Sequence, residues 1–312
     1  MESLNEFLRE WNSSDDYIVA HTSGSTGKPK EIRLPKADMR VSARATNTFF
    51  RLGEESRAAL PLLLDYIAGK MMAVRAMEGN YPLDIIPVSN DISLPDNGRL
   101  YNLIPVVPSQ LPSLLIQKEY ASRIENLLIG GAQPDKEICN ALHDAGYKAF
   151  ISYGMTETCS HVALCDASAD DRIYSAMPGI CFSTDEDNRL IIEAPAFSFK
   201  RLKTNDIVEL IDSSSFRWRG RFDNAINSGG LKLLPEELEK MYAPYLTGVN
   251  FYVVGRKHDK WGECICLVIE GDADGEELIN LIRKHIDHRM CPKYFETAAL
   301  LPRTINGKIR RI

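Results

Sequence analysis

The sequence has no C-x-x-C pair among its seven cysteines (Cys139, Cys159, Cys165, Cys181, Cys264, Cys266 and Cys291), and an odd number cannot close into a complete disulfide framework. Neither a disulfide scaffold nor a zinc ribbon is expected; reduced thiols in a cytoplasmic protein fit better. Excess positive charge is lacking too. Against 43 aspartates and glutamates stand 37 lysines and arginines, a formal net charge of −6. That balance gives no general reason to bind nucleic acid or an anionic membrane. The most apolar stretch, AALPLLLDYIAGKMMAV, is broken by Pro61, Asp65 and Lys70. It falls short of the ~20 clean apolar residues of a membrane span. The N-terminus lacks the apolar block of a signal peptide and instead sets Leu4, Phe7, Leu8 and Trp11 at helical spacing. No internal repeat or low-complexity tract is evident. What is present is 312 residues, 44% hydrophobic and 26% charged, enough for a large core and two domains.

From Tyr17 onward, short apolar runs (YIVA, AALPLLL, LDIIPV, YNLIPVVP, NLLIGG, AFISYG) alternate with helix-length patterns such as DYIAGKMMAVRAMEG and PDKEICNALHDAGY. Such alternation favours a layered α/β sheet. After Pro178, RLIIEAP, DIVELID and FRWRG read as short antiparallel strands. The last ninety or so residues read as a compact αββαβ unit, with PEELEKMY as its first helix and EELINLIRKHIDHRM as its second. Pro235 in the first turn and the acidic residues after it mark where the first of these helices starts.

The stretch HTSGSTGKPKEIRL (His21 to Leu34) has the composition of a phosphate-holding loop but fails as a P-loop. Thr22 stands where the first glycine belongs, and Pro29 where the magnesium-binding Ser/Thr belongs. Pro29 also opposes a helix start directly after the lysine, so a pliable flap of hydroxyls and lysines is expected instead.

Four further motifs follow it: GGA (130–132), YGMTETCSH (153–161), TNDIVEL…FRWRGRFDNAINSGGLKLLPEELE (204–239) and PRTINGKIRR (302–311). In this order and at these separations the five resemble the acyl-adenylate-forming superfamily of acyl-CoA ligases, luciferases and peptide-synthetase adenylation domains. The resemblance implies an α/β fold: a truncated large domain of layered α/β plus an antiparallel β segment, with a small C-terminal α+β domain. The expected boundaries are 1–222 for ATP and acyl binding and 223–312 for a mobile lid. Members commonly carry well over a hundred residues ahead of the glycine loop, so most of an N-terminal subdomain is expected to be missing here.

The resemblance assigns roles residue by residue. Ser23, Ser25, Thr26 and Lys28, in a loop made pliable by Gly24 and Gly27, would hold the ATP phosphates, with Lys30 a further candidate. Gly130, Gly131 and Ala132 would lie against adenine, and Tyr153, followed by Gly154, would stack on it. Thr156 and Glu157 would stand at the α-phosphate and Mg²⁺, Glu157 as the metal ligand. Asp206 would grip the ribose hydroxyls with Arg221 beside it; Asn205 replaces the more usual glycine and tolerates the same turn. Asp223 would mark the hinge, Gly229 and Gly230 would line the CoA channel, and Lys308 would reach the reacting carboxylate.

The extension YGMTETCS resembles the o-succinylbenzoate:CoA ligases of menaquinone synthesis, whose substrate carries a second carboxylate. Lys70, Ser160 and His161 are the candidates to receive it, with Arg75 behind them. Lys70 reads equally well as a snorkelling lysine at a helix edge. His285, His288 and Cys291 offer no fourth ligand and read as a helix end rather than a zinc site. The expected activity is ATP-dependent acid:CoA ligation with ATP, Mg²⁺ and CoA. Open alternatives are another aryl or short acyl acid, an adenylation enzyme loading a carrier protein, and a non-catalytic AMP- or acyl-adenylate-binding protein. Expected partners are the small carboxylic acid, ATP and CoA, with no nucleic acid and no membrane span; the resemblance also allows a homodimer.

Overall fold

A computed structural model describes residues 2–21, 31–303 and 309–311. The chain begins with α1 (Leu4–Trp11), started by a reciprocal Ser3/Glu6 cap. A ribbon of β1 (Tyr17–His21) and β2 (Glu31–Pro35) follows, then α2 (Lys36–Phe50), β3 (Ala58–Leu60), α3 (Ile67–Gly79) and β4 (Leu83–Ile85). Next come β5 (Ile104–Val106), α4 (Leu111–Ile116), β6 (Leu127–Ile129), α5 (Lys136–Asp144) and β7 (Ala149–Met155). From there the chain is all strand: β8 (Ser160–Asp166), β9 (Ile173–Ala176), β10 (Cys181–Thr184), β11 (Arg189–Ala194), β12 (Lys200–Asp212) and β13 (Ser215–Arg221).

Nine of these strands form one sheet in the order β10-β11-β12-β13-β9-β8-β7-β6-β5. β5, β6 and β7 are parallel, crossed over by α4 and α5, and every other neighbouring pair is antiparallel. Of the parallel strands, β5 and β6 read Ile-Pro-Val and Leu-Leu-Ile without alternation and are fully buried, as strands covered on both faces must be. The runs YIVA, AALPLLL and LDIIPV fall outside this sheet. Among the described residues β1 pairs only with β2, and β3 pairs with β4, reaching the large sheet through one bridge, Ala58 to Leu103. α2 and α3 pack on each other, held at the surface by Arg40 and Arg44 on Glu78 and inside by Asn47 donating to the Arg75 carbonyl at 2.8 Å.

The C-terminal unit consists of β14 (Ile226–Ser228), β15 (Leu231–Leu233), α6 (Pro235–Tyr242), β16 (Phe251–His258), β17 (Gly262–Glu270), α7 (Gly275–Arg283) and β18 (Tyr294–Ala298). Its sheet runs β15-β14-β17-β16, with β18 parallel to β17. α7 is shorter than the periodicity suggests. It stops at Arg283, and a separate turn over His288–Met290 is started by the Asp287 carboxylate, which accepts from the Arg289 amide at 2.9 Å. One buried cluster runs from Phe7 to Phe216, and a second from Ile226 to Cys291.

Candidate active site

The parallel strands end on one rim, the usual place for a ligand crevice in an open α/β sheet. β6 runs into Gly130–Ala132, where Gly131 has φ +87°, a left-handed conformation that favours glycine. β7 carries Tyr153 and Gly154 out to the same rim. A Cβ on Gly154 would lie 2.1 Å from the Ser160 carbonyl oxygen, so only glycine lets the chain turn back into β8 this closely. The turn itself is tied by the buried Thr158 hydroxyl. It accepts from the Met155 amide at 3.0 Å and lies 2.7 Å from the Ser160 carbonyl, to which it donates. Cys159 and Ser160 take positive φ of 56° and 115°, unusual for residues with a Cβ and characteristic of functional turns. Thr156 and the exposed Glu157 sit at the apex of this turn.

Beside them, β12 and β13 place Asp206 directly opposite Arg221. Asp206 is 7% exposed and both of its oxygens are held. Tyr153 Oη donates to Oδ2 at 2.7 Å, and Trp218 Nε1 donates to Oδ1 at 3.0 Å. Burial, followed by the Asp206 charge, raises the Tyr153 phenol well above its ordinary value, so it stays an O–H donor. Arg221 lies 4.0 Å from Asp206 but makes its close bonds to Asp223, at 2.7 and 3.2 Å. The Tyr153 ring meets Phe216 edge-on at 5.0 Å, and Phe216 stacks on Tyr174 at 5.5 Å. Trp218 is the member of this group that the sequence did not single out. Two residues apart on a regular strand share a face and three do not, so alternation alone sends Trp218 away from Arg221.

A second cluster lies behind the turn. Arg75, 1% exposed, donates through Nη2 to Ser160 Oγ at 3.0 Å and lies 3.4 Å from His161 Nδ1; its Nε has no partner among the described residues. His161 Nε2 is 3.1 Å from Thr46 Oγ1, whose own proton goes to the Ser42 carbonyl. Nε2 therefore carries the imidazole proton and Nδ1 accepts from Arg75. Burial, then the Arg75 charge, drives the His161 pKa well below its ordinary value, in keeping with a neutral ring. Burial lowers Arg75 to about 10, which leaves it charged at neutral pH. Lys70 does not join this cluster. Its ammonium pairs with Glu2 at 2.6 Å and Glu10 at 3.5 Å and lies 5.1 Å over the Phe7 ring, turned toward α1. Five residues separate Lys70 from Arg75, about 140° around a helix, so the two point to different sides of α3.

The phosphate-loop candidates Ser23, Gly24, Ser25, Thr26, Gly27, Lys28 and Lys30 lie outside the described residues, as does Lys308. Their neighbours are described. His21 pairs with Glu31, so the residues flanking 22–30 are ends of one β ribbon, and it is a strand rather than a helix that begins at Glu31. β2 packs against the Thr156–Thr158 turn. Arg303 bridges Ile309 across residues 304–308. Asp223 lies in the turn between β13 and β14, and Gly229 and Gly230 have φ of +56° and +83° in the turn before β15. The histidines near α7 are engaged separately: His285 stacks on Tyr245 at 4.5 Å, while His288 lies 3.4 Å from Asp287, and the Cys291 thiol donates to backbone carbonyls. Among the described residues no group of three His, Cys, Asp or Glu is placed to hold a metal ion, and no helix is long and apolar enough to cross a membrane.

Residues 3–184 match the AMP-binding enzyme family and residues 237–308 the AMP-binding enzyme C-terminal domain. A curated relative, 2-succinylbenzoate–CoA ligase of Listeria monocytogenes, is 26% identical over 98% of this chain and 71% of its own length. A probable 2-succinylbenzoate–CoA ligase of Mycobacterium tuberculosis is 27% identical over 99% of this chain and 87% of its own. Among solved structures, an AMP-forming acyl-CoA synthetase/AMP-acid ligase II-like protein from Dyadobacter fermentans is 32% identical, with a TM-score of 0.65 over 98% of this chain and 91% of that one. The o-succinylbenzoate CoA synthetase of Bacillus subtilis, in complex with its acyl-adenylate, shares the fold at a TM-score of 0.76 and 21% identity, covering 94% of this chain and 67% of that one.

Proposed function

Because this chain belongs to the AMP-binding enzyme family, we propose that it is an acid:CoA ligase activating an aryl dicarboxylic acid, with o-succinylbenzoate the preferred substrate. In the first half-reaction a carboxylate oxygen attacks the α-phosphorus of ATP and pyrophosphate leaves. In the second the CoA thiolate attacks the acyl carbon and AMP leaves. The observation that carries the reading is the cradle at Asp206. An oriented carboxylate, presented by Tyr153 and Trp218, stands on the rim where Thr156 and Glu157 sit. Such a carboxylate can accept both hydroxyls of a ribose. Tyr153, Gly130, Gly131 and Ala132 would take adenine. The hydroxyls and Lys28 of the loop carried by β1 and β2 would hold the phosphates.

Glu157, an exposed carboxylate beside the Thr156 hydroxyl, supplies hard oxygen donors of the kind Mg²⁺ accepts while keeping phosphate and water ligands. Bound there, Mg²⁺ would neutralise phosphate charge as pyrophosphate departs. Lys308 would place an ammonium at the reacting carboxylate. The division at 222/223, with Asp223 as hinge, would let the C-terminal unit carry Lys308 away and bring Gly229 and Gly230 to the thiol. The substrate's second carboxylate would accept the Ser160 hydroxyl proton, with Arg75 polarising that hydroxyl from behind and His161 holding Arg75 in place. Lys70 has no part in this reading. The enzyme would work in the cytoplasm, where ATP and CoA are available.

The test is pyrophosphate release with o-succinylbenzoate, benzoate and acetate, by wild type and Lys308→Ala, with and without CoA. The expectation is release with o-succinylbenzoate that Lys308→Ala abolishes, and a thioester only with CoA. No release with any acid would leave an AMP-binding protein without turnover. Release without a CoA thioester would favour a carrier protein as acceptor.

A further inference from the structure

On β13 the pairing with β12 slips. Asp206 faces Arg221 and Ile207 faces Gly220, but Val208 faces Trp218, leaving Arg219 as an extra residue. This bulge resets the parity of the strand. Asp206 and Val208 share one face of β12, so their partners Arg221 and Trp218 share it as well, although three residues apart. Only because of the bulge does the indole N–H reach Asp206 Oδ1, at 3.0 Å.

Trp218, Arg219 and Gly220 also receive α6. Lys240 Nζ stands 5.7 Å over the Trp218 ring, and Arg219 Nε pairs with Glu237 at 2.5 Å. At Gly220 a Cβ would lie 2.6 Å from Glu236 Oε2, so a larger residue there would push the Glu236 carboxylate aside. The first two turns of the C-terminal unit's first helix thus rest on the bulge that aims Trp218. A cation over an indole face also draws electron density toward itself and leaves the N–H a stronger donor.

We propose that Trp218 is a positioning residue for the nucleotide, fixing the rotation of the Asp206 carboxylate, and that α6 holds Trp218 in that pose. Docking of the C-terminal unit thereby raises nucleotide affinity. The proposal rests on reading Asp206 as the ribose-binding carboxylate. Tyr153 fixes one oxygen and Trp218 the other; with both held, the remaining lone pairs point in set directions for two hydroxyl donors. With Trp218 released, the carboxylate keeps its charge and its Tyr153 bond but can turn about its Cβ–Cγ bond.

The experiment is calorimetric titration of the full chain with AMP, for wild type, Trp218→Phe, Lys240→Met and the double variant, alongside the KM for ATP and for the acid. Trp218→Phe keeps an aromatic ring, smaller than the indole, and loses the N–H. It is expected to weaken AMP binding about tenfold, the scale of a hydrogen bond to a charged group. The KM for ATP should rise in parallel and the KM for the acid stay constant. Lys240→Met is expected to weaken AMP about threefold, and to add almost nothing in the Trp218→Phe background, because it acts through the indole N–H. AMP affinity of Trp218→Phe within twofold of wild type would overturn the proposal while leaving the ligase reading standing. So would additive effects of the two substitutions. Failure of the wild type to bind AMP at all would instead overturn the reading of Asp206. Should Trp218→Phe not fold, Lys240→Met decides alone: unchanged AMP affinity refutes the part played by α6.

Discussion

Arg75 is a guanidinium almost wholly removed from water, bonded to a hydroxyl and an imidazole and, among the described residues, to no carboxylate. Burying a charge without a counter-charge is costly, and an acid substrate would supply the missing one. Arg75→Lys keeps the charge and loses the planar fork. It should raise the KM for o-succinylbenzoate at least about tenfold, the scale of a charged hydrogen bond, while benzoate is handled as before; an equal change for both acids would exclude the assignment. The neighbouring His161 makes stability depend on pH. Its folded pKa lies far below the unfolded 6.5, so below that pH the unfolded chain binds a proton that the folded one does not. The stabilising contribution is present above pH 6.5 and is lost at about 1.4 kcal/mol per pH unit as the pH falls. Urea unfolding of His161→Gln should accordingly show a shallower loss of stability between pH 6.5 and 5 than wild type. Gly154→Ala drives a methyl into the Ser160 carbonyl and should cost about 3 kcal/mol, the upper end for overpacking. A Tm within a degree of wild type would show that the turn opens freely.

At the level of elements, much of the architecture was legible because periodicity reports on burial. The helices α1, α3 and α5 and the antiparallel run after Pro178 stand where the apolar spacing puts them. Sheet membership was not legible. YIVA and NLLI are equally apolar, yet one pairs in a two-stranded ribbon and the other at the centre of the parallel strands, a choice made by long-range packing. Lys70 shows the same limit in the site. Its place near the end of an apolar run suited either a pocket cation or a surface lysine; the deciding partners, Glu2 just ahead of α1 and Glu10 within it, lie sixty residues or more away in sequence. Trp218 was illegible because the bulge that turns it is not a property of its own stretch of chain. The consequence for α1 is testable. Lys70→Met should loosen the helix and lower the Tm by a few degrees, about 1–2 kcal/mol for a partly buried ion pair. The KM for the acid should stay unchanged, and a rise in it would return Lys70 to the pocket.

Across the whole molecule, the C-terminal tail is tied to the same helix that rests on the β13 bulge. Arg311 Nη2 lies 2.7 and 2.8 Å from the two Glu239 oxygens, Nη1 lies 3.4 Å from Glu236, and Nε donates to the Val253 carbonyl at 3.2 Å. Glu236 in turn accepts from Asn224, next to the hinge candidate Asp223, at 2.6 Å. A continuous chain of charged and polar contacts therefore runs from the hinge turn through α6 to a residue three positions beyond Lys308. If Lys308 serves adenylation, Arg311 would fix the tail three positions beyond it, and a CoA half-reaction that does not use Lys308 would be insensitive to the change. Arg311→Lys keeps a cation for both glutamates but cannot reach Glu239, Glu236 and the Val253 carbonyl at once through three separate nitrogens. It should slow pyrophosphate release about tenfold, the scale of one charged hydrogen bond, and leave thioester formation from supplied acyl-adenylate within about twofold. Equal slowing of the two half-reactions would show that Arg311 merely holds the C-terminal unit together, and that the link from hinge to tail carries no information about which reaction is under way.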